Sequence, residues 1–152
     1  MVLKSVRLRW AGAGLLVAVL ASGARAQGAL GAAYDAGFSL PSGNIACEIG
    51  PLVGQPTALR CDVLSPSFKA PRINDCPLAW GDSLGLDTYG NQAYFICHGD
   101  TVIDTLHPLP TLAYGQRWER GGLRCQSSRA GVRCTNENGH GFELARARYK
   151  LF

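Results

Sequence analysis

The chain has no C-x-x-C knuckle, no G-x-S-x-G elbow and no nucleotide-binding fingerprint. Without those motifs, zinc knuckles, the hydrolase fold that raises its serine on such an elbow, and phosphate-cradling loops lose their usual support. Sustained helical periodicity is missing as well, so the expectation for the body of the chain is strand rather than helix. Nor is there an apolar run long enough to cross a membrane. The stretch from Trp10 to Ala21 holds 12 residues, Gly12 and Gly14 among them, against the roughly 20 that span a bilayer core.

What is present begins with export. Lys4, Arg7 and Arg9 precede the apolar stretch, and Ala24-Arg25-Ala26 follows it before Gln27, the order of a cleavable signal peptide over residues 1–26. No cysteine stands directly after the cut, so a secreted or periplasmic chain with no membrane anchor after cleavage is expected. Four of the 15 basic residues leave with that segment and none of the 11 acidic ones does. The remainder is formally neutral, so the net +4 of the whole chain gives no support to a nucleic-acid partner. Its basic residues are nearly all arginine, with Lys69 and Lys150 the exceptions, and arginine suits planar recognition of carboxylates.

All six cysteines, Cys47, Cys61, Cys76, Cys97, Cys125 and Cys134, follow the signal, and an even count in an oxidising compartment implies three disulfides. Strand alternation narrows the pairing. Ile45, Cys47 and Ile49 share one face, as do Leu59, Cys61 and Val63, and folding about Gly54 sets Cys47 opposite Cys61. Around Ser128-Arg129-Ala130-Gly131 the spacing is symmetric, so Cys125 falls opposite Cys134 whether the tip is Arg129-Ala130 or a longer loop. Cys76 and Cys97 then pair by elimination, flanking a third hairpin, Ser83–Leu86 and Ala93–Cys97, turned at Tyr89-Gly90-Asn91.

The expected architecture is all-β: a small antiparallel, disulfide-stapled sandwich or barrel built from hairpins, with residues 27–37 a flexible tail and 38–152 one domain. Three prolines between Leu64 and Pro77, and Pro108 and Pro110 later, mark surface loops. The last hairpin is expected to turn on a three-residue tip, Asn138-Gly139-His140, which puts Leu144 on the face of Cys134. A single closing strand then runs to about Tyr149.

The combination of Phe38, Pro41-Ser42-Gly43-Asn44-Ile45 and Cys47 near the start, Cys97-His98-Gly99-Asp100 in the middle, and Cys134-Thr135-Asn136, Gly139-His140-Gly141-Phe142 and Tyr149 at the end resembles a family of small secreted bacterial proteins grouped as a domain of unknown function. The likeness spans the mature domain. It implies bacterial export and the disulfide framework, and carries no catalytic residue, cofactor or partner with it.

Candidate chemistry is sparse. His98, His107 and His140 are the histidines, and a hydrolase would join one of them to Ser42 and Asp100. His98 and Asp100 follow a disulfide cysteine at a strand end, where turn-capping bonds are the ordinary explanation, and His140 sits in a glycine-rich turn. Asn136, Glu137, Asn138 and Asp100 match a calcium loop poorly. No catalytic residue, metal or cofactor is therefore expected. The aromatics Trp80, Tyr89 and Trp118 are taken as the candidate ligand surface, weighed against a role in the core. The expected function is a non-enzymatic module that binds an envelope protein or glycan; the alternative is a small secreted hydrolase using a histidine beside a carboxylate.

Overall fold

Period-two alternation decides which way each strand faces, and in four strands the cysteine lies on the apolar side. The computed structural model describes residues 37–52 and 55–152; the expected signal peptide lies outside them. The strands are β1 (Gly37–Ser39), β2 (Ile45–Leu52), β3 (Gln55–Val63), β4 (Ser83–Asp87), β5 (Tyr94–Phe95), β6 (Arg117–Arg120), β7 (Leu123–Ser128), β8 (Gly131–Thr135), β9 (Gly141–Leu144) and β10 (Tyr149–Leu151). They form two five-stranded antiparallel sheets, ordered β1-β2-β3-β4-β5 and β10-β9-β8-β7-β6. Each sheet is a meander of sequence neighbours. The fold is all-β, and no helix among the described residues is long and apolar enough to cross a membrane.

The inward side chains of both sheets share one core. Leu59, Cys61, Val63, Leu84 and Leu86 of the first sheet join Leu123, Cys125, Val132, Cys134, Phe142 and Leu144 of the second. Aromatic rings bridge the two layers. Phe38 packs on Trp118 with centroids 5.4 Å apart, and Phe68 and Phe95 meet Tyr149 edge-on at 5.1 and 4.9 Å. Between the sheets the chain passes beside β1, where Leu112 donates its N–H to the Ser39 carbonyl at 2.9 Å.

The disulfides are Cys47–Cys61, Cys76–Cys97 and Cys125–Cys134. The first and third join directly opposed residues of β2/β3 and β7/β8, with Cα atoms 4.0 and 4.1 Å apart. They face each other in the core, where the sulfurs of Cys47, Cys61 and Cys134 lie within 4.8 Å of one another. All three are in disulfides, so no thiolate is available to ligate a metal. Their loops close over 14, 21 and 9 residues, for which chain entropy gives about 3 kcal/mol of stability per bridge. Replacing either core pair by alanines is expected to lower the urea midpoint accordingly. Cys97 is exposed, whereas Cys47, Cys61, Cys125 and Cys134 are buried. Mild reduction without denaturant should therefore open Cys76–Cys97 first, as thiol labelling and peptide mapping would read.

Three local features differ from expectation. Gly37 belongs to β1, opposite Glu48, rather than to a tail; a Cβ there would run into the Cys47 carbonyl. The β8–β9 loop holds five residues, 136–140, because the pairing is Cys134 with Phe142 and Thr135 with Gly141. That register is two residues from the expected one, so the faces are preserved and Leu144 still points inward at 2% exposure. Finally, the closing strand is a hairpin. It breaks at Ala145–Arg148, where Ala145 donates to the Arg148 carbonyl at 2.9 Å, and β10 returns alongside β9.

Candidate functional site

Two hairpin tips at one end of the second sheet build a recess. At the β7–β8 tip, Arg129 and Ala130 keep negative φ while Gly131 takes φ 124°, where a Cβ would also clash with the Leu144 carbonyl. Ser128 holds this tip by donating its hydroxyl to the Gly131 carbonyl and accepting from the Ala130 N–H. The β9–β10 tip is tied to the long loop after β3, since the Ser67 N–H donates to the Arg146 carbonyl at 2.7 Å. Both arginine-bearing tips are thus fixed through their main chain.

With Leu40–Ile45, Ser65 and Tyr114 the tips enclose a cleft of about 600 Å³, within the range of sites for small molecules. Arg129, Arg146 and Arg148 line it together with Ser42, Ser65 and Ser128, and no Asp or Glu does. Arg129 lies over the Tyr114 ring at 5.3 Å. Among the described residues none of these three guanidinium groups has a carboxylate within ion-pair distance. Arg124, by contrast, pairs with Glu119 and Glu137, and Arg133 with Glu143. The near balance of charge after residue 26 hides a division between the sheets. Residues 105–152 carry eight Lys/Arg against three Asp/Glu, and residues 37–104 carry three against seven.

A second polar cluster covers the outer face of the first sheet. Arg60 and Asp62 alternate with the core residues of β3 and so point away from the core, yet they are only 8% and 2% exposed because the segment after β5 lies across them. Asp62 accepts from Arg60, Ser83, Thr101 and the Val102 N–H. Arg60 reaches on to the Asp100 carboxylate at 2.6 Å and the Asp100 carbonyl at 2.7 Å. Burial pushes the Asp62 carboxyl up, but these hydrogen bonds and the Arg60 charge outweigh it and hold it below the usual carboxylate value. Burial likewise opposes the Arg60 charge, and its bonds to Asp62 and Asp100 more than offset that, raising its pKa. The exposed Asp100 is lowered by the same guanidinium.

His98, 7% exposed, sits beside this cluster with both ring nitrogens engaged. Nδ1 meets the Asp100 carbonyl, which can only accept, so Nδ1 carries a proton. Nε2 faces the Asp82 carboxylate at 2.9 Å. Neither nitrogen is turned toward a hydroxyl nucleophile, and Ser42 lines the arginine cleft, which His98 does not. The expected grouping of His98, Ser42 and Asp100 is therefore not assembled around one reacting atom. His107 is exposed and pairs with Asp104, and His140 lies in the five-residue loop with its N–H given to Asn136 Oδ1.

The candidate ligand aromatics separate. Trp118 is 4% exposed and packs on Phe38 in the core, so it offers no surface. Trp80 is half-buried against Phe95 and donates its indole N–H to the Pro71 carbonyl. Tyr89 is 77% exposed on the β4–β5 loop. None of the three lines the cleft, whose arginines had been visible only as a compositional excess.

The fold and its basic face define a disulfide-stapled β-sandwich with a recess at its hairpin tips. A family model described as a family of unknown function (DUF6636) matches residues 14–152, and the chain belongs to that family. No curated protein and no solved structure matches it.

Proposed function

We propose that the protein is a non-enzymatic binding module exported to the bacterial periplasm or cell exterior, where it takes an envelope protein or glycan bearing carboxylate or phosphate groups. The observation that carries this reading is the cleft in which Arg129, Arg146 and Arg148 converge with no acidic residue in the lining. Unpaired guanidinium groups on rigid tips favour an anion, because charge-assisted, bidentate hydrogen bonds form without first breaking an internal ion pair. The three disulfides fit an oxidising compartment. The hydrolase alternative gains nothing from His98, whose nitrogens are already committed.

Trigalacturonate and a tetra-aspartate peptide are suitable probes for titration calorimetry. Binding of at least one is expected, and Arg146→Ala/Arg148→Ala should weaken it by about 3 kcal/mol or more, at 1.5–3 kcal/mol per charged hydrogen bond. The melting temperature should hold, since the tip is pinned through its main chain. Failure of the wild-type protein to bind either probe, or equal binding by the variant, would sink the proposal.

A further inference from the structure

The cleft does not end at the hairpin tips. Arg148, Ser128 and Gly131 also line a second recess of about 350 Å³, which Gln126 and Arg133 share with a third, of about 220 Å³, that includes Arg117 and Arg124. The strand register explains this continuity. Arg117 pairs with Gln126, Gln126 with Arg133, Arg133 with Glu143 and Glu143 with Lys150. Those five residues form one row across the outer face of the second sheet, whose strands lie roughly 4.8 Å apart, so the row crosses on the order of 19 Å. Glu119, Glu137 and Glu143 are the only acidic residues of 105–152, and each is paired with Arg124 or Arg133. Arg117 and Lys150 are exposed, and no described carboxylate pairs with them.

We infer that the recesses form one track, and that the ligand is a linear acidic polysaccharide that enters the cleft with one end and runs on over the outer face of the second sheet; this rests on the binding role proposed above. Charge complementarity fixes the sign of the ligand, and continuity of the recesses fixes its length as more than one cleft-sized unit. Its chemistry follows from what stands between the cations. Ser42, Ser65, Gln126 and Thr135 offer hydroxyls and an amide suited to sugar hydroxyls. Among the described residues the rings along this path are already covered by guanidinium groups, Arg129 lying over Tyr114 and Arg133 over Phe152, and Trp118 is buried, whereas single-stranded nucleic acid calls for free stacking rings.

The test is a length series of galacturonic acid oligomers, from trimer to decamer, measured against the full exported chain by calorimetry. The decamer should bind at least tenfold more tightly than the trimer, with a steeper salt dependence. Arg117→Ala/Lys150→Ala, outside the cleft, should lower decamer affinity about tenfold and leave the trimer unchanged. Equal affinity for trimer and decamer, both still sensitive to Arg146→Ala/Arg148→Ala, overturns the track and leaves the cleft standing. Tighter binding of a ten-residue oligothymidylate than of the decamer overturns the polysaccharide assignment. No binding of any oligomer or peptide overturns track and cleft reading together.

Discussion

Asp62→Ala should cost about 4 kcal/mol of unfolding free energy, as expected when one partner of a buried ion pair is removed. The residue is 2% exposed and its carboxylate collects two Arg60 bonds, the Ser83 and Thr101 hydroxyls and the Val102 N–H. Truncation leaves the nearly buried Arg60 guanidinium with Asp100 as its remaining partner, and leaves two hydroxyls and an amide without their acceptor. The double variant Arg60→Met/Asp62→Leu should recover a large part of the loss, because it removes both charges and their desolvation together. A single variant that unfolds at the wild-type urea midpoint, or a double variant no better than the single, would refute the account.

The same cluster contributes to the acid limit of the fold. Asp62 and Asp100 are held below the ordinary aspartate value in the folded state. A depressed folded value means the stabilisation is fully present above the unfolded value, about 3.9, and disappears as the pH falls through the lower folded one. The urea midpoint should therefore carry this contribution at neutral pH and shed it below about pH 4. Asp62→Ala should flatten that acid limb.

The disulfide pairing and the hairpins that carry it were legible because alternation is a strong signal wherever one face is apolar, whereas the order of the strands in the sheets was not. Cys47 and Cys61, like Cys125 and Cys134, each sit at the same parity as their aliphatic neighbours, and the register follows. Arg60 and Asp62 show the limit of that logic. Alternation puts them on the polar face, but nothing local tells that residues 98–102 fold across it and bury them. The break at Ala145-Arg146-Ala147-Arg148 was equally hidden. It contains no Gly, Pro, Asn or Asp, and is held by the Ala145–Arg148 bond across it and by the distant Ser67 N–H on the Arg146 carbonyl. Missing that turn also hid the site, since two of the three cleft arginines stand on it. Trp118 illustrates the converse, a residue type common at binding centres that the core claimed.

Asn136→Ala should be nearly as damaging as loss of Asp62, at about 3 kcal/mol or more, counting roughly 1 kcal/mol for each of its hydrogen bonds. In sequence it is one polar residue among several before an Asn-Gly turn. In the fold it is 2% exposed and uses both ends of its amide. Oδ1 accepts from the N–H groups of Asn138 and His140 at 3.1 and 3.0 Å, which makes residues 136–140 a closed loop and accounts for the two-residue offset of β9. Nδ2 donates to the carbonyls of Asp87 and Gly90 at 2.9 and 2.8 Å, fastening that loop to the β4–β5 turn of the opposite sheet. Asp in its place retains the acceptor and loses both donors, so Asn136→Asp separates the two roles. It should keep the β8–β9 register, read by amide exchange at His140, while freeing the β4–β5 turn, read at Gly90. An Asn136→Asp protein protected at both positions would show that the link between the sheets is carried elsewhere.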